Sequence, residues 1–269
     1  MKNRELLNKN GFVVIKNLLS PKLIKKLTKQ SKKLHKNNLS KFTPLHNNGD
    51  HWKLISNKTI VNVIKDLLNN KKISYLFNSH SVCQKKNTFV DTSWHRDNVC
   101  RDFGKGPDWY GNYNVLRVAI YLNQKGKNGL NIIKKSHIKK KFLCFFLKFL
   151  RTHFKKIYFN KFFRFIFDSL IGTKVYAKPG DCVFFFANLY HSAIVDVNGS
   201  QSPRRAIFLT FGTDNNHSKN YINYYLYHRK DLAISKGIKD DKKFNKFLKT
   251  NKIDINYSKK KYQIKYSSL

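Results

Sequence analysis

Lys178-Pro179-Gly180-Asp181, followed by Cys182-Val183-Phe184-Phe185-Phe186-Ala187-Asn188-Leu189-Tyr190-His191, is the passage on which the fold turns. Pro fixes φ and Gly accepts the left-handed region, so the first four residues read as a turn. The apolar, aromatic run Cys182–Phe186 then reads as a strand that delivers His191 at its far end. Working outward, similar runs rich in β-branched and aromatic residues occur at Gly11–Lys16, Ile73–Asn78, Ser81–Lys85, Val115–Leu122, Leu130–Ile133 and Arg205–Phe211. Turn chemistry separates several of them, at Lys105-Gly106-Pro107 and Lys127-Asn128-Gly129. Many short strands spaced in this way predict a mainly β sandwich or open barrel with helices packed on one sheet.

Helices are expected at both ends. Ser20-Pro21 supplies an N-cap and a first-turn proline, and Leu23, Ile24, Leu27, Ser31 and Leu34 follow with helical spacing. A second helix is expected from Lys58 to Asn70, capped by Asn57, with Ile60, Val63, Ile64, Leu67 and Leu68 inward. Between about 138 and 171 lies a basic aromatic segment in which Phe142, Phe145, Phe146, Phe149 and Leu150 recur at helical spacing. It reads as a helical insert that either covers the sheet, or lies on an anionic membrane or lines an apolar channel. From about 216 to 269 the chain reads as helical (Tyr221–Ser235, Asp240–Thr250) and ends in a Lys-rich tail. Length and pattern together predict one domain over 1–269.

The chain has 54 Lys+Arg against 15 Asp+Glu, a formal charge of +39. With 41% hydrophobic and 14% aromatic residues it can bury a core, which excludes a disordered basic tail. A/T-rich coding explains much of the Lys, but Glu codons are equally A-rich and Glu5 is the single Glu. The excess charge therefore favours anionic partners such as a lipid surface, a polyanion or a charged substrate. No nucleic-acid module is recognisable, so specific nucleic-acid binding is not expected. No apolar stretch is long enough to span a membrane. The opening Met1-Lys2-Asn3-Arg4-Glu5 leads to a short apolar run broken by Lys16, without a cleavage site of small residues, which argues against a secretory leader. Cys83, Cys100, Cys144 and Cys182 form no C-x-x-C pair and fit reduced thiols in a cytoplasmic protein.

Ser93-Trp94-His95-Arg96-Asp97 carries the chemistry. In an extended segment, residues i and i+2 project to the same face, so His95 and Asp97 can offer an imidazole nitrogen and a carboxylate oxygen to one cation. Ten His and 14 Asp in 269 residues would supply about half an H-x-D by chance, so the pair alone decides little. With His191 as third ligand the set becomes two imidazoles and one carboxylate, the facial arrangement of non-haem Fe(II) oxygenases.

Six ordered blocks add to that reading. They are G-F-V-V-I-K-N-L-L-S at 11–20, W-H-R-D at 94–97, V-L-R-V-A-I-Y-L-N at 115–123, N-G-L-N-I-I-K-K-S-H at 128–137, P-G-D-C-V-F-F-F-A-N-L-Y-H-S-A at 179–193 and P-R-R-A-I-F-L-T-F at 203–211. In this order they resemble the phytanoyl-CoA dioxygenase family of Fe(II)/2-oxoglutarate-dependent oxygenases. The resemblance implies a double-stranded β-helix (a jelly roll, cupin-like) with N-terminal helices, a helical insert and C-terminal helices. It implies His95, Asp97 and His191 as iron ligands and Arg204 as the partner of the distal carboxylate of 2-oxoglutarate. The neighbouring Arg205 is the alternative, and strand alternation lets one of the two point inward.

The chain departs from the family pattern in three places, one being a slightly long loop from His191 to Arg204 with Asp196-Val197-Asn198-Gly199-Ser200 at its tip. Ala193 stands where many members carry Ser or Thr, with Ser192 adjacent, and Lys134-Lys135 replaces the P-G of the P-G-S-H turn. His137, which survives from that turn, is expected to be structural. The retained Asp97 argues against the related halogenases. Trp94, Arg117 and Asn188 are candidate pocket residues; Arg117 is either a partner for a substrate anion or a surface residue of a half-buried strand. The activity implied is hydroxylation of an unactivated C–H, using Fe(II), 2-oxoglutarate and O2, on a small-molecule or lipid-linked substrate, anionic in character. The protein would then be cytoplasmic, with peripheral membrane contact through 139–167. The competing reading is a catalytically silent basic jelly-roll protein that binds anionic lipid or polyanion. Substrate identity and oligomeric state stay open at this level.

Overall fold

The computed structural model describes residues 2–36, 42–47, 49–84, 94–97, 114–123, 128–138, 168–194, 204–223 and 242–255, with scattered positions between 139 and 167. Among the described residues, helices α1 (Lys2–Asn10), α2 (Pro21–Leu34), α3 (Gly49–Ile55), α4 (Lys58–Leu67), α5 (Asn216–Asn223) and α6 (Lys242–Thr250) flank ten strands. These are β1 (Phe12–Ile15), β2 (Phe42–Pro44), β3 (Ser74–Tyr75), β4 (His80–Gln84), β5 (Val115–Tyr121), β6 (Gly129–Ile132), β7 (Thr173–Tyr176), β8 (Cys182–Phe186), β9 (His191–Ala193) and β10 (Arg204–Gly212).

A seven-stranded antiparallel sheet runs β1-β8-β5-β10-β4-β2, with β3 also paired to β10. A second sheet of three strands runs β7-β6-β9. From β5 onward the chain crosses to the small sheet for β6 and β7, returns for β8, crosses for β9 and returns for β10. That winding is a jelly roll, a double-stranded β-helix whose sheet is not closed, as expected.

Every residue of β5 and of β8 is buried, because each strand is covered on both faces. Leu116, Val118, Ile120, Phe184, Ile207 and Leu209 point to the helical side, where Leu7, Ile24, Leu27, Ile60, Ile64, Phe244 and Leu248 cover them. Ala119, Tyr121, Val183, Phe185 and Ala206 point the other way, against Leu130, Ile132 and Val175 of the small sheet. This second layer forms the interior of the roll.

Local chemistry accounts for the element ends. The Ser20 hydroxyl accepts from the Leu23 amide at 3.3 Å, and the Asn57 side-chain Oδ1 from the Ile60 amide at 3.1 Å, as N-caps. The second helix stops at Leu67, short of Asn70, because Asn69 takes a left-handed conformation (φ 51°) and ends it. The strand expected over Ile73–Asn78 shrinks to Ser74–Tyr75. Beyond it the Ser79 hydroxyl takes the Thr210 amide (2.8 Å) and donates to Leu76 O (3.0 Å), interrupting the ladder before β4 begins.

Five of the described elements were not expected from the sequence: α1, β2, α3, β7 and β9. The helix expected over Asp240–Thr250 is α6, whereas α5 shares only 221–223 with the one expected over Tyr221–Ser235, and 224–241 lies outside the described residues. So does most of the basic aromatic segment, along with Cys100 and Cys144, while Cys83 and Cys182 are buried free thiols. Among the described residues no helix is long and apolar enough to cross a membrane.

Candidate metal centre

The site is built by backbone pairing. His95 and His191 face each other in an isolated antiparallel bridge, each amide donating to the other's carbonyl at 2.9 Å. Residues in such a hydrogen-bonded pair project their side chains to the same face, so two imidazoles are brought side by side, with ring centroids 4.5 Å apart. Two residues on, the Asp97 amide donates to Ala187 O at 2.8 Å, which keeps the segment extended and turns Asp97 to the face of His95. Asp97 Oδ1 lies 3.7 Å from His95 Nε2, and Asp97 Oδ2 lies 3.5 Å from His191 Nε2. One donor atom from each of the three residues falls within 4.8 Å of the others.

The surroundings hold this geometry. The Trp94 indole donates to Asp168 Oδ1 at 2.9 Å and stacks on Tyr190, with centroids 6.3 Å apart. Ile133 and Leu150 complete that apolar cluster, with Phe146 and Ile171 packed against it. Across the β8–β9 connection, the Ser136 hydroxyl accepts from the Tyr190 amide (2.9 Å), and Asn188 Nδ2 donates to His137 O (3.0 Å). His137 itself bonds Asn8 O through Nε2 at 2.9 Å and stacks on Phe186, so it is structural, as expected. Gly11, at φ 86°, lies against the His137 ring, where a Cβ would meet Nδ1 at 2.6 Å; only glycine fits there.

Electrostatics centre on Asp97. Burial works against its charge, but the Arg117 guanidinium foremost, and then the two imidazoles, outweigh it and hold the carboxyl well below the usual carboxylate range. Arg117 Nε lies 3.2 Å from Asp97 Oδ2, and Arg117 is 3% exposed. This corrects the surface reading of Arg117: its strand is covered on both faces, so the side chain points into the roll. His191 Nδ1 lies 2.9 Å from Leu189 O, and donating there leaves the Nε2 lone pair aimed at Asp97. Its pKa is pushed down to about 3, by burial first and by His95 next. His80, on the inner face opposite Phe208, is likewise pushed down to about 3 by burial and then by Arg117.

Acid lability follows. Both imidazoles stay neutral in the fold but titrate near 6.5 when unfolded, so below that pH the unfolded chain binds more protons. Their contribution to stability is fully present above about pH 6.5 and is lost as pH falls toward about 3, by roughly 1.4 kcal/mol per pH unit per imidazole. Urea midpoints of the metal-free chain should fall steadily through this window; a flat profile would contradict the burial argument.

Arg204 shares the inner face with Ala206 and Phe208, whereas Arg205 shares the outer one with Ile207 and Leu209. The Arg204 guanidinium donates to Gly129 O at 2.8 Å and lies 5.3 Å from the Tyr121 ring centroid. Arg205 contacts Cys83 Sγ at 2.7 Å instead. Ser192 pairs with Asn131 on the face opposite His191, so its hydroxyl does not take the place of the missing one at Ala193, which pairs with Leu130. Asn188 serves the β8–β9 connection. Sequence reasoning missed Asn78, His80, Asp168 and Thr210. Of these, Thr210 has a legible signal, being on the inner alternation of β10.

No curated protein sequence matches the chain. Among solved structures, the fold is similar to HygX from Streptomyces hygroscopicus with nickel and 2-oxoglutarate bound, at TM-score 0.62 and 13% identity, over 81% of this chain and 88% of that one. It is similar to the non-heme alpha ketoglutarate dependent epimerase SnoN from nogalamycin biosynthesis (TM-score 0.55, 14% identity, 79% and 81% covered). It is also similar to EctD from S. alaskensis with bound Fe (TM-score 0.53, 15% identity, 79% and 76% covered). At these identities the likeness establishes the fold. The phytanoyl-CoA dioxygenase (PhyH) family model matches residues 7–206, a span that runs from α1 to the start of β10 and takes in all three triad residues, and the chain belongs to that family.

Proposed function

We propose that the protein is an Fe(II)- and 2-oxoglutarate-dependent oxygenase whose metal is held by His95, Asp97 and His191. The observation that carries this reading is the convergence of two imidazoles and one carboxylate on one point from positions far apart in the chain. Donors bound at about 2.1 Å to one ion lie at most about 4.2 Å apart. The two imidazole Nε2 atoms lie 3.7 and 3.5 Å from Asp97 Oδ1 and Oδ2, inside that limit, and all three donors fall within 4.8 Å of one another. Neutral imidazoles with one carboxylate are the donor set suited to non-haem Fe(II) with open positions. When bound, iron supplies the chemistry by which O2 and 2-oxoglutarate turn a C–H into C–OH, with succinate and CO2 released.

This chain's own residues do the rest. The His191 Nδ1 bond to Leu189 O fixes the tautomer that presents Nε2 to the metal. Arg204, on the inner face and free to exchange the Gly129 carbonyl for a carboxylate, clamps the distal end of the co-substrate. Trp94, Ile133, Leu150 and Tyr190 form an apolar wall next to His95 that keeps water from that side. The substrate is a small molecule, and we take it to be anionic and lipid-like, met at a membrane surface inside the cell. In support, Ile138, Phe142, Phe149, Phe154, Ile166 and Leu170 are all exposed large apolar residues, and 139–167 contains no acidic residue.

Succinate formed from 2-oxoglutarate tests the proposal, because it reports co-substrate turnover whatever the primary substrate becomes. Turnover should require Fe(II) and rise in the presence of anionic, but not neutral, lipid vesicles. Arg204→Lys should raise the KM for 2-oxoglutarate about tenfold or more with a smaller change in kcat, since ammonium cannot reproduce the bidentate clamp. Absence of iron-dependent turnover across a panel of lipid and small-molecule substrates would leave the silent binding protein in its place. Turnover indifferent to vesicles would remove the membrane.

A further inference from the structure

Arg117 is a fixed charge. Its Nη1 donates to Asn78 O at 2.7 Å and to Thr210 Oγ1 at 3.1 Å. Its guanidinium carbon lies 5.3 Å from the Phe208 ring centroid, and its Nε meets Asp97 Oδ2 at 3.2 Å. Held at these points and buried in the middle of β5, it cannot swing out to greet a substrate, and its positive charge stays beside the triad.

Charge bookkeeping at the site then has a definite result. Asp97 contributes one negative charge and Arg117 one positive, so the pair is neutral before a metal arrives, and an imidazole that ligates a metal is itself uncharged. A divalent ion therefore raises the buried site by two net positive charges, and Arg204 on the same inner face adds to the field. Uncompensated charge in such surroundings is costly. A dianion entering with the metal restores neutrality.

We propose that Arg117 is a positioning residue that makes metal loading of the triad conditional on a dianionic co-ligand, by balancing the Asp97 carboxylate in advance. The inference rests on the reading of His95, Asp97 and His191 as metal ligands and goes beyond it: metal and co-substrate bind as a coupled pair. Linkage makes the coupling reciprocal, so each tightens the other by the same factor.

The test is calorimetric titration of the metal-stripped full chain with Co(II), with and without 2-oxoglutarate, in wild type, Arg117→Gln and Arg117→Lys. In wild type the ratio of the two dissociation constants should be about a hundredfold. Arg117→Gln should bind Co(II) alone more tightly than wild type and lower the ratio to about tenfold or less, whereas Arg117→Lys, which keeps the charge, should retain it. If Arg117→Gln weakens Co(II) equally with and without 2-oxoglutarate, the residue is merely structural and the proposal is overturned. Thermal melts establish that the variants fold. Should Arg117→Gln not fold, wild type decides with oxalate against neutral 2,2′-bipyridine, each scaled to its affinity for free Co(II): preference for the dianion by about tenfold supports the proposal, and parity overturns it. His95→Ala separates the two levels. Wild-type Co(II) binding that survives in His95→Ala would sink the metal site itself, while loss there together with an unchanged ratio in Arg117→Gln sinks the coupling alone.

Discussion

Replacing His191 with alanine is expected to abolish iron-dependent succinate formation, by about three orders of magnitude or more, in a chain that stays folded. Loss of a hydrogen-bonded neighbour of a metal ligand typically costs ten- to a hundredfold in affinity or activity, and loss of the ligand itself costs more. The fold should survive because the ring packs edge-on to Phe185 at 4.9 Å, in a layer that retains its other aliphatic and aromatic contacts. The backbone bridge to His95 uses main-chain atoms and does not depend on the side chain. Asp97→Ala would be a poorer probe, since it strands the buried Arg117 guanidinium and costs about 3–5 kcal/mol through that alone. Equilibrium dialysis against iron, run beside the succinate assay, checks the expectation. A His191→Ala protein that keeps a tenth of the wild-type rate would mean that the metal is held elsewhere.

The largest expected effect on stability lies one residue before the first ligand. Trp94 is 1% exposed, stacks on Tyr190 and donates its indole N–H to Asp168. Trp94→Ala removes a large ring from a small cluster that has little other material to collapse into the space, and should cost about 3–5 kcal/mol. Trp94→Phe keeps much of the packing but takes a donor from the buried Asp168, and should cost roughly 1–3 kcal/mol. Because Trp94 fixes the segment that presents His95, both variants should also weaken Co(II) binding, alanine more than phenylalanine. Urea denaturation and the cobalt titration read the two effects separately, and an alanine variant as stable as wild type would remove Trp94 as the anchor.

The fold was legible where local chemistry and periodicity agree. Ser20-Pro21 and Asn57 cap the helices that they mark, and the apolar runs around Val118 and Phe184 are strands. Helix α1 was not legible, because it buries only Leu7 and is ended by Gly11, whose partner His137 comes from far along the chain. β7 and β9 were missed because, at four and three residues, they depend on pairing with β6, and β9 also on the bridge to His95. In the site, the H-x-D spacing and the histidine after an apolar strand were visible as residue types. The burial of Arg117 was not, since a charged residue in a strand ordinarily reads as facing solvent. What placed it inside was a second sheet covering that face, together with Asn78 and Thr210, which no spacing rule connects to it.

The reciprocal bridge between His95 and His191 has a kinetic consequence. The two residues are 96 positions apart (191 − 95), so the site exists only after a long loop has closed and the roll has wound shut. An ion cannot template an early intermediate through contacts that form last, and its binding energy is collected by the finished protein. Metal should therefore slow unfolding while leaving the refolding rate nearly unchanged, so the loaded protein gains persistence and no speed of assembly.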